Sequence, residues 1–334
     1  MSDVPLRLAI AEYDRAQPLA DGTVRPEGIE LDVTFLAPSE TFYRMLKFDE
    51  FDVSEMSLSS YLIARSQGRA WTAIPVFPFR NLFHLSIYSR AEAGIEEPRD
   101  VEGKRFGLTE YQVTAAVWTR GVLREDFGVD LTKVNWLVER TPEMSHGGVT
   151  GFRPPEGITI EQIPADESLQ SLIDKDVIDA VLPDPYPGLP SRLNRTEETE
   201  LQRSPKMQRL FHDPRAEIAR YYERHGLLHM NHTIVIQNSV LETHPWVVMS
   251  LFDAFQQAKE HAYKRLDRLR WSALVFAGAY LEEERSLLGD DPFPYGFQAN
   301  RPALEKLAGY SKDQGFIDTK PVLEELFAEE TLST

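Results

Sequence analysis

The sequence has no cysteine among its 334 residues, so disulfide bridges, thiolate metal sites and cysteine nucleophiles are excluded. It also has no apolar run that approaches the ~18 residues of a membrane-spanning helix. The N-terminal residues lead directly into an alternating strand pattern, without the basic and apolar segments of a signal peptide. We therefore expect a cytoplasmic protein.

Basic residues are outnumbered, with 36 Lys and Arg against 53 Asp and Glu and a formal net charge of −17. A surface this negative disfavours nucleic acids and anionic membranes as partners. An anionic small molecule would therefore need a locally basic pocket. Walker-type glycine loops, Gly-x-Ser-x-Gly elbows and paired-glycine dinucleotide motifs are absent, so nothing indicates ATP, NAD or serine hydrolase chemistry.

Apolar residues make up 42% of the chain, and its length suggests two domains rather than one core. Alternating apolar residues predict strands over 6–10 and 28–36, and an apolar face over 112–127 predicts a helix. Strands that alternate with helices favour an α/β fold with mainly parallel sheets. The segment 139–160 is predicted as a long loop, and the Pro-, Arg- and Glu-rich segment 187–215 as an exposed irregular connection.

A short strand near 51–53 is followed by hydroxyl residues and a predicted helix over 59–67. This order places Glu55, Ser57 and Ser59 where a strand leads into a helix N-terminus. Small anionic ligands bind at such places in open α/β sheets, because unpaired N–H groups and the positive end of the helix dipole face the crevice. A carboxylate there would repel an anion unless it handles protons or a metal ion. The alternative is a set of capping residues beside a solvated Glu.

Several segments of the chain resemble one family. The segment 94–107 resembles the signature with which type II periplasmic-binding-protein folds enter their second domain. A narrower resemblance rests on the blocks 21–22, 27–29, 51–62, 74–78, 110–118, 232–236, 294–296 and 300–301. In these blocks the chain resembles the 4,5-dihydroxyphthalate decarboxylase family, cytoplasmic relatives of those binding proteins.

The resemblance implies a two-lobed type II periplasmic-binding-protein-like fold, with a mainly parallel sheet flanked by helices in each lobe and the ligand between the lobes. Lobe one would comprise 1–106 and 236–334, and lobe two 107–235, with hinge strands near 107 and 235. The implied function is a decarboxylase that protonates the ring of a hydroxylated aromatic carboxylic acid, such as 4,5-dihydroxyphthalate, and releases CO₂. The alternatives are a solute-binding protein for a small aromatic or carboxylate ligand, or another lyase or hydrolase on this fold.

Decarboxylation of an arene without a cofactor needs a proton donor, a base for the phenol and a cation that positions the carboxylate. The resemblance raises His84, His232 and Glu55 as the acid–base groups and Arg80 as the carboxylate anchor. The alternatives are satisfied core histidines and an internal ion pair of Arg80 with Glu55. The further residues expected to bind the substrate are Ser57, Ser59, Asp14, Tyr111, Gln112, Thr114, Asp184 and Tyr186.

The sequence departs from the family pattern at Phe79 and Phe83, which replace a polar and a basic residue and favour a monocarboxylate over a phthalate. His229 and His232 are three residues apart, a spacing that suits a metal pair only on a helix, so no metal ligands are predicted. No cofactor is expected, although a divalent metal that chelates a catechol stays an alternative electron sink. His146 lies among glycines and is predicted to be solvated or part of a lid. We also expect a homo-oligomer.

Overall fold

Two mixed sheets with surrounding helices form the structure, a computed structural model that describes residues 3–186, 191–196, 198–266, 268–269 and 272–334. The strands are β1 (Val4–Ile10), β2 (Ile29–Phe35), β3 (Val53–Ser57), β4 (Trp71–Ile74), β5 (Arg80–Asn81), β6 (Tyr88–Arg90), β7 (Arg105–Leu108), β8 (Asn135–Val138), β9 (Ile160–Gln162), β10 (Ala180–Leu182), β11 (Met207–Arg209), β12 (His229–Met230) and β13 (His232–Gln237). The helices are α1 (Gln17–Ala20), α2 (Pro38–Phe48), α3 (Leu58–Ser66), α4 (Thr114–Phe127), α5 (His146–Thr150), α6 (Leu169–Asp174), α7 (Glu198–Arg203), α8 (Pro214–His225), α9 (Asn238–Thr243), α10 (Val247–Leu266), α11 (Ala277–Leu288) and α12 (Phe297–Asp313). No helix in the described ranges is long and apolar enough to cross a membrane.

The first sheet has the strand order β2-β1-β3-β13-β4. Strand β1 is parallel to β2 and β3, whereas β13 is antiparallel to both β3 and β4. The register of β13 sets Ile234 opposite Glu55 and His232 opposite Ser57. Because β3 is buried along its whole length, its polar side chains face the protein interior and must find partners there.

The second sheet has the strand order β11-β6-β10-β7-β8-β9. Strands β7, β8, β9 and β10 are mutually parallel, and β6 is antiparallel to β10 and β11. Parallel strands end at the same edge of a sheet, where open α/β folds bind ligands. The residues that follow β7, β8 and β10 therefore meet at one edge. The α/β prediction is confirmed, but both sheets are mixed rather than mainly parallel throughout.

The short strands β5 and β12 pair with each other between the two sheets. The chain passes through β5 on its way to β6 in the second sheet and returns through β12 to β13 in the first. Residue 107 lies within β7 of the second sheet and residue 235 within β13 of the first. The chain therefore changes sheets near β5 and near β12, earlier than the predicted hinges at 107 and 235. The reason is that β6, an antiparallel strand of the second sheet, precedes the segment 94–107 that suggested the start of the second lobe.

Two segments differ from the predicted loops. Helix α5 lies inside the predicted loop 139–160, where Ser145 caps it by accepting a hydrogen bond from the Gly148 N–H. The predicted irregular connection 187–215 lies partly outside the described residues, and its described part contains α7 and β11. Helices α3 and α4 both begin at the gap between the sheets, as the positions of Ser57 and Thr114 show.

Candidate active site

A narrow cavity of ≈ 10 Å³, with room for about one water molecule, lies between the two sheets. Ser57 and His232 line it from the first sheet, and Thr114, Arg140 and Tyr186 line it from the second-sheet side. The cavity thus unites residues from distant parts of the chain, including several that the sequence predicted. It is the candidate active site.

A larger groove of ≈ 930 Å³ lies at the outer edge of the first sheet. Gly28 and Trp246 line it together with acidic residues such as Asp253. None of the predicted acid–base or substrate-binding residues reaches this groove, and its carboxylates would repel an anionic ligand. We therefore assign the site to the smaller cavity.

Glu55 is fully buried in the middle of β3. Its carboxylate accepts hydrogen bonds from the Ala11 N–H (2.8 Å) and from the Tyr13 hydroxyl (2.7 Å). A third contact, of 2.5 Å, joins Glu55 Oε1 to His232 Nδ1. A buried carboxylate is tolerated only when donors surround it. Glu55 meets this condition and is neither solvated nor paired with Arg80.

His232 is held at both ring nitrogens. Its Nδ1 faces the Glu55 carboxylate, which only accepts, so this nitrogen carries a proton, and the neutral tautomer would present a lone pair at Nε2. Nε2 lies 2.5 Å from the Tyr186 hydroxyl and 2.9 Å from Asn231 Nδ2. The edge of the Phe42 ring packs against the imidazole, with ring centroids 4.7 Å apart. Glu55, His232 and Tyr186 thus form one hydrogen-bonded chain.

Tyr13 and Tyr186, the phenols that contact Glu55 and His232, keep their protons. Burial raises the pKa of Tyr13 well above its usual value, and the nearby Glu55 carboxylate raises it further. Burial likewise raises the pKa of Tyr186, with Asp184 and Glu55 adding to the effect. Both hydroxyls are therefore donors at neutral pH, and Tyr186 can donate to the lone pair of His232.

The predicted hydroxyl residues contact one another across the gap between the sheets. Ser57 Oγ lies 2.8 Å from Thr114 Oγ1, and the Ser59 N–H donates to the same oxygen at 3.0 Å. Ser59 Oγ donates to the Gln112 carbonyl at 2.7 Å, and Gln112 Nε2 donates to Ser60 Oγ at 3.0 Å. The N-termini of α3 and α4 therefore meet beside the cavity, as expected for an anion-binding edge.

Arg140 is a cavity residue that the sequence did not single out. It follows β8 and is fully buried, with Nη1 2.9 Å from Glu110 and Nη2 2.7 Å from Asp184. Burial acts to lower the pKa of Arg140, but the carboxylates of Asp184 and Glu110 raise it above its usual value. The guanidinium therefore stays charged. Its place after a buried parallel strand was a signal that could have identified it.

His146 is buried rather than solvated, and the segment that carries it lies over one side of the cavity. Its Nε2 lies 3.0 Å from the Ser39 carbonyl of α2. Two further bonds join the same segment to the first-sheet side, from the Tyr43 hydroxyl to the carbonyl of Glu143 and from Gln67 Nε2 to the carbonyl of Thr150. The segment therefore covers the cavity, and His146 forms part of its wall.

His84 lies outside the cavity, contrary to its predicted catalytic position. It belongs to a 3₁₀ turn rather than to a strand, and its Nε2 lies 2.8 Å from Glu217 on α8. Tyr221 and His229 pack against its ring. Alternating residues after His84 favour a strand, but its side chain is oriented by Glu217 on α8, much later in the chain.

Arg80 is also directed away from the cavity. Its Nη2 donates to the Pro294 carbonyl at 2.8 Å and to the side chain of Asn300. Burial lowers the pKa of this guanidinium to about 10. Because carbonyl oxygens already hold Arg80, the structure does not bring it to His232 as a carboxylate anchor.

Two further predicted residues lie apart from His232. The side chain of Asp14 is largely exposed and pairs with its neighbour Arg15 at 2.8 Å. The Tyr111 ring stacks on Phe152 and lies under the guanidinium of Arg120. Of the predicted set, the structure brings Glu55 and His232 together with Ser57, Ser59, Gln112, Thr114, Asp184 and Tyr186.

Among the residues that the structure describes, one group has the geometry to hold a metal ion: Glu125, Asp126 and His225. Asp126 is paired with Arg220 at 2.8 Å, and Glu125 with Lys306 at 2.8 Å. These cations compensate the acidic charge, and the group is separate from the cavity. It gives no independent indication of a metal site.

Comparisons with known proteins agree with this architecture. A family model described as NMT1/THI5 like matches residues 25–149. A 4,5-dihydroxyphthalate decarboxylase from Comamonas testosteroni is 32% identical over 330 residues, which cover 98% of this chain and 97% of that protein. A 4,5-dihydroxyphthalate decarboxylase from Pseudomonas putida is 34% identical over 223 residues, which cover 66% of this chain and 83% of that protein.

The fold is matched by solved structures. The periplasmic aliphatic sulphonate binding protein SsuA from Escherichia coli superimposes with a TM-score of 0.56 at 11% identity, over 100% of both chains. This likeness confirms the predicted two-lobed, periplasmic-binding-protein-like fold and says nothing about the ligand. The relative from Comamonas testosteroni, at 32% identity, covers nearly the whole sequence. The chain belongs to the 4,5-dihydroxyphthalate decarboxylase family.

Proposed function

We propose that this protein is a decarboxylase that removes CO₂ from a hydroxylated aromatic carboxylic acid, with 4,5-dihydroxyphthalate as the first substrate to test. Family membership over 98% of the chain supports the reaction class. The observation that carries the proposal is the buried Glu55–His232 pair, whose histidine lines the cavity between the two sheets. A protein that only binds its ligand has no need for a titratable pair at that position.

The chemistry requires a proton on the ring before CO₂ departs. Direct loss of CO₂ from an arene would leave an unstable aryl carbanion, whereas a hydroxyl ortho or para to the carboxylate supplies electron density to the ring. A positioned acid then protonates the carbon that bears the carboxylate. The carbon–carboxylate bond breaks, its electron pair restores the aromatic ring, and CO₂ leaves. General acid catalysis of this kind contributes ~10²–10⁴-fold.

His232 is the proposed proton donor. In its charged form the proton at Nε2 is delivered to the ring carbon, and the Glu55 carboxylate stabilises the imidazolium through Nδ1. The resulting neutral ring is reprotonated before the next turnover. Tyr186, 2.5 Å from Nε2, holds the imidazole in line and links it to the second-sheet side. The two contacts fix the ring orientation that proton transfer needs.

The carboxylates of the substrate are proposed to occupy the N-termini of α3 and α4. Ser57, Ser59 and Thr114 would exchange their mutual hydrogen bonds for bonds to substrate oxygens, and the helix dipoles favour negative charge there. Arg140 supplies the nearest buried cation on the cavity wall. These groups take over the anchoring role that the sequence assigned to Arg80.

The test is release of CO₂ from 4,5-dihydroxyphthalate and related hydroxylated aromatic acids by the purified protein. Turnover in D₂O should place one deuterium on the carbon that carried the carboxylate. His232→Asn should lower turnover by ~10²–10⁴-fold while ligand affinity is kept. His244→Asn, at a histidine outside the cavity, is the matched control. Tight binding without CO₂ release from any of these acids would favour the solute-binding alternative.

Three finer expectations accompany the proposal. Activity that survives dialysis against a chelator would support chemistry by protein groups alone. A loss of activity that added Mg²⁺ or Mn²⁺ reverses would support a metal ion as the electron sink. We also propose a cytoplasmic homo-oligomer. Cell fractionation tests the compartment, and light scattering of the purified protein tests the oligomeric state.

A further inference from the structure

Two hydrogen-bond acceptors on the cavity wall lack a donor among the residues that the structure describes. They are Nδ1 of His146 and Oδ1 of Asn231. The two residues are only 1% and 2% exposed, so bulk water does not reach them. Buried polar groups nearly always have a partner, and exceptions call for an explanation.

The proton position on His146 follows from its one hydrogen bond. A carbonyl oxygen only accepts, so the 3.0 Å contact with Ser39 requires the proton on Nε2. Burial lowers the pKa of His146 below its usual value, so the ring is neutral and Nδ1 presents a lone pair. Glu110 Oε2 lies 3.8 Å from Nδ1 and is itself an acceptor. Nothing described nearby can satisfy this nitrogen.

The amide of Asn231 is oriented by His232. In the neutral form of His232, before it takes up the proton for the ring, Nδ1 donates to Glu55 and Nε2 is an acceptor that needs donors opposite it. Asn231 Nδ2 fills this role at 2.9 Å and also donates to the Tyr186 hydroxyl at 2.7 Å. The Asn231 carbonyl oxygen is consequently the free end of the amide.

We propose that His146 Nδ1 and Asn231 Oδ1 accept hydrogen bonds from the two ring hydroxyls of the substrate, and that they select a dihydroxylated ring. The inference rests on the proposed function and deepens it. A carboxylate has no hydrogen to offer these atoms, whereas a catechol has two adjacent O–H donors. The rings of His146 and His232 both contact Phe42, at centroid distances of 5.9 and 4.7 Å. Hydroxyl recognition therefore takes place beside the proposed proton donor.

The position of His146 on α5 couples this recognition to closure of the cavity. The segment is held to its own lobe by Glu110, which accepts hydrogen bonds from Ser145 Oγ (2.8 Å) and from the backbone N–H groups of His146 and Gly147. His146 reaches the first-sheet side through Ser39. A ring without hydroxyls would leave both acceptors unpaired in the closed form, and sites built this way reject such analogues strongly.

The experiment measures dissociation constants of 4,5-dihydroxyphthalate, 4-hydroxyphthalate and phthalate by calorimetry. These ligands keep both carboxylates and lose the hydroxyls one at a time. The unmodified protein should lose about 5- to 100-fold in affinity for each hydroxyl removed. His146→Phe should abolish the affinity loss for one of the two hydroxyls without weakening the binding of phthalate. Asn231→Ala should abolish the affinity loss for the other hydroxyl. His146→Gln should restore the affinity loss that His146→Phe abolishes, because its amide can donate to Ser39 and still present an oxygen.

A readout that needs no variant is the ¹⁵N resonance of His146 Nδ1, which should shift when 4,5-dihydroxyphthalate binds and not when phthalate binds. His244→Phe is the matched control and should change nothing. If His146→Phe and Asn231→Ala both keep the full preference for hydroxyls, or the resonance moves equally with phthalate, the two acceptors serve only the fold or an internal water. Absence of CO₂ release by the unmodified protein would refute the proposed function, whereas normal turnover with unchanged preference refutes only this inference.

Discussion

Replacement of Glu55 by Gln tests the centre of the proposed mechanism with the smallest change of shape. The carboxylate accepts from Ala11 N–H, from the Tyr13 hydroxyl and from His232 Nδ1, at 2.8, 2.7 and 2.5 Å. A Gln side chain has only one oxygen. If that oxygen faces Tyr13 and His232, the amide N–H₂ group meets the Ala11 N–H. If the side chain turns over, His232 must change its tautomer.

The first arrangement leaves two donors facing each other, the second changes the tautomer of His232, and both lose the negative charge. An unsatisfied buried group costs ~1–3 kcal/mol, and charge-assisted hydrogen bonds contribute ~1.5–3 kcal/mol each. We therefore expect Glu55→Gln to lower the free energy of unfolding by about 2–4 kcal/mol. Turnover should fall by ~10²–10⁴-fold, because the imidazolium form of His232 loses its counter-charge.

Glu139→Gln is the matched control. Glu139 is also fully buried and accepts hydrogen bonds from the Leu169 N–H (2.9 Å) and the Thr196 hydroxyl (2.6 Å), but it does not line the cavity. Both variants should lose stability in urea unfolding, and only Glu55→Gln should lose turnover under saturating substrate. Equal turnover in the two variants would refute the acid–base role of Glu55.

Three other outcomes are expected. Burial lowers the pKa of both His84 and His229, so below ~pH 6.5 the unfolded chain binds more protons than the folded protein. Urea unfolding at decreasing pH should therefore show a loss of up to ~1.4 kcal/mol in the free energy of unfolding per pH unit for each histidine. Arg80→Lys should reduce stability by ~1–3 kcal/mol, because the guanidinium bonds buried carbonyls, with carboxylate selectivity in calorimetry unchanged; a loss of selectivity would return Arg80 to the site. Gly148→Ala places a Cβ 1.9 Å from the Pro142 carbonyl oxygen. Hydrogen exchange should therefore show α5 destabilised by ~1–3 kcal/mol, and substrate affinity should fall. Unchanged exchange would refute a close-packed α5.

The sequence singled out both residues of the proposed acid–base pair, Glu55 and His232, but not their contact. Glu55 was recognisable as a carboxylate where a strand leads into a helix, and His232 as the first residue of a later strand. What brings them together is the insertion of β13 between β3 and β4, with Ile234 opposite Glu55. Pairing between strands that are 177 residues apart leaves no signature in local periodicity. His84 was misplaced for the same reason, since its partner Glu217 lies on a distant helix.

Other residues could have been recognised with the rules already applied. Asp184 was predicted because it follows a buried parallel strand, and Arg140 follows β8 in the same way. His146 was harder, because glycines around it suggest solvent exposure. Its burial depends on Ser39 and Phe42 from α2, and contacts between lobes are set by the tertiary structure.

In the described part of the chain, the two sheets that share the cavity have no strand pairing with each other, and the β5–β12 ladder, two residues on each strand, forms a separate small sheet. Glu55 and His232 sit on neighbouring strands of one sheet, whereas Tyr186 and His146 come from the opposite side. A wider gap would leave Glu55 and His232 in contact but would separate His232 from Tyr186. If His232 delivers the proton as proposed, substrate loading and proton delivery would then belong to two different separations of the sheets.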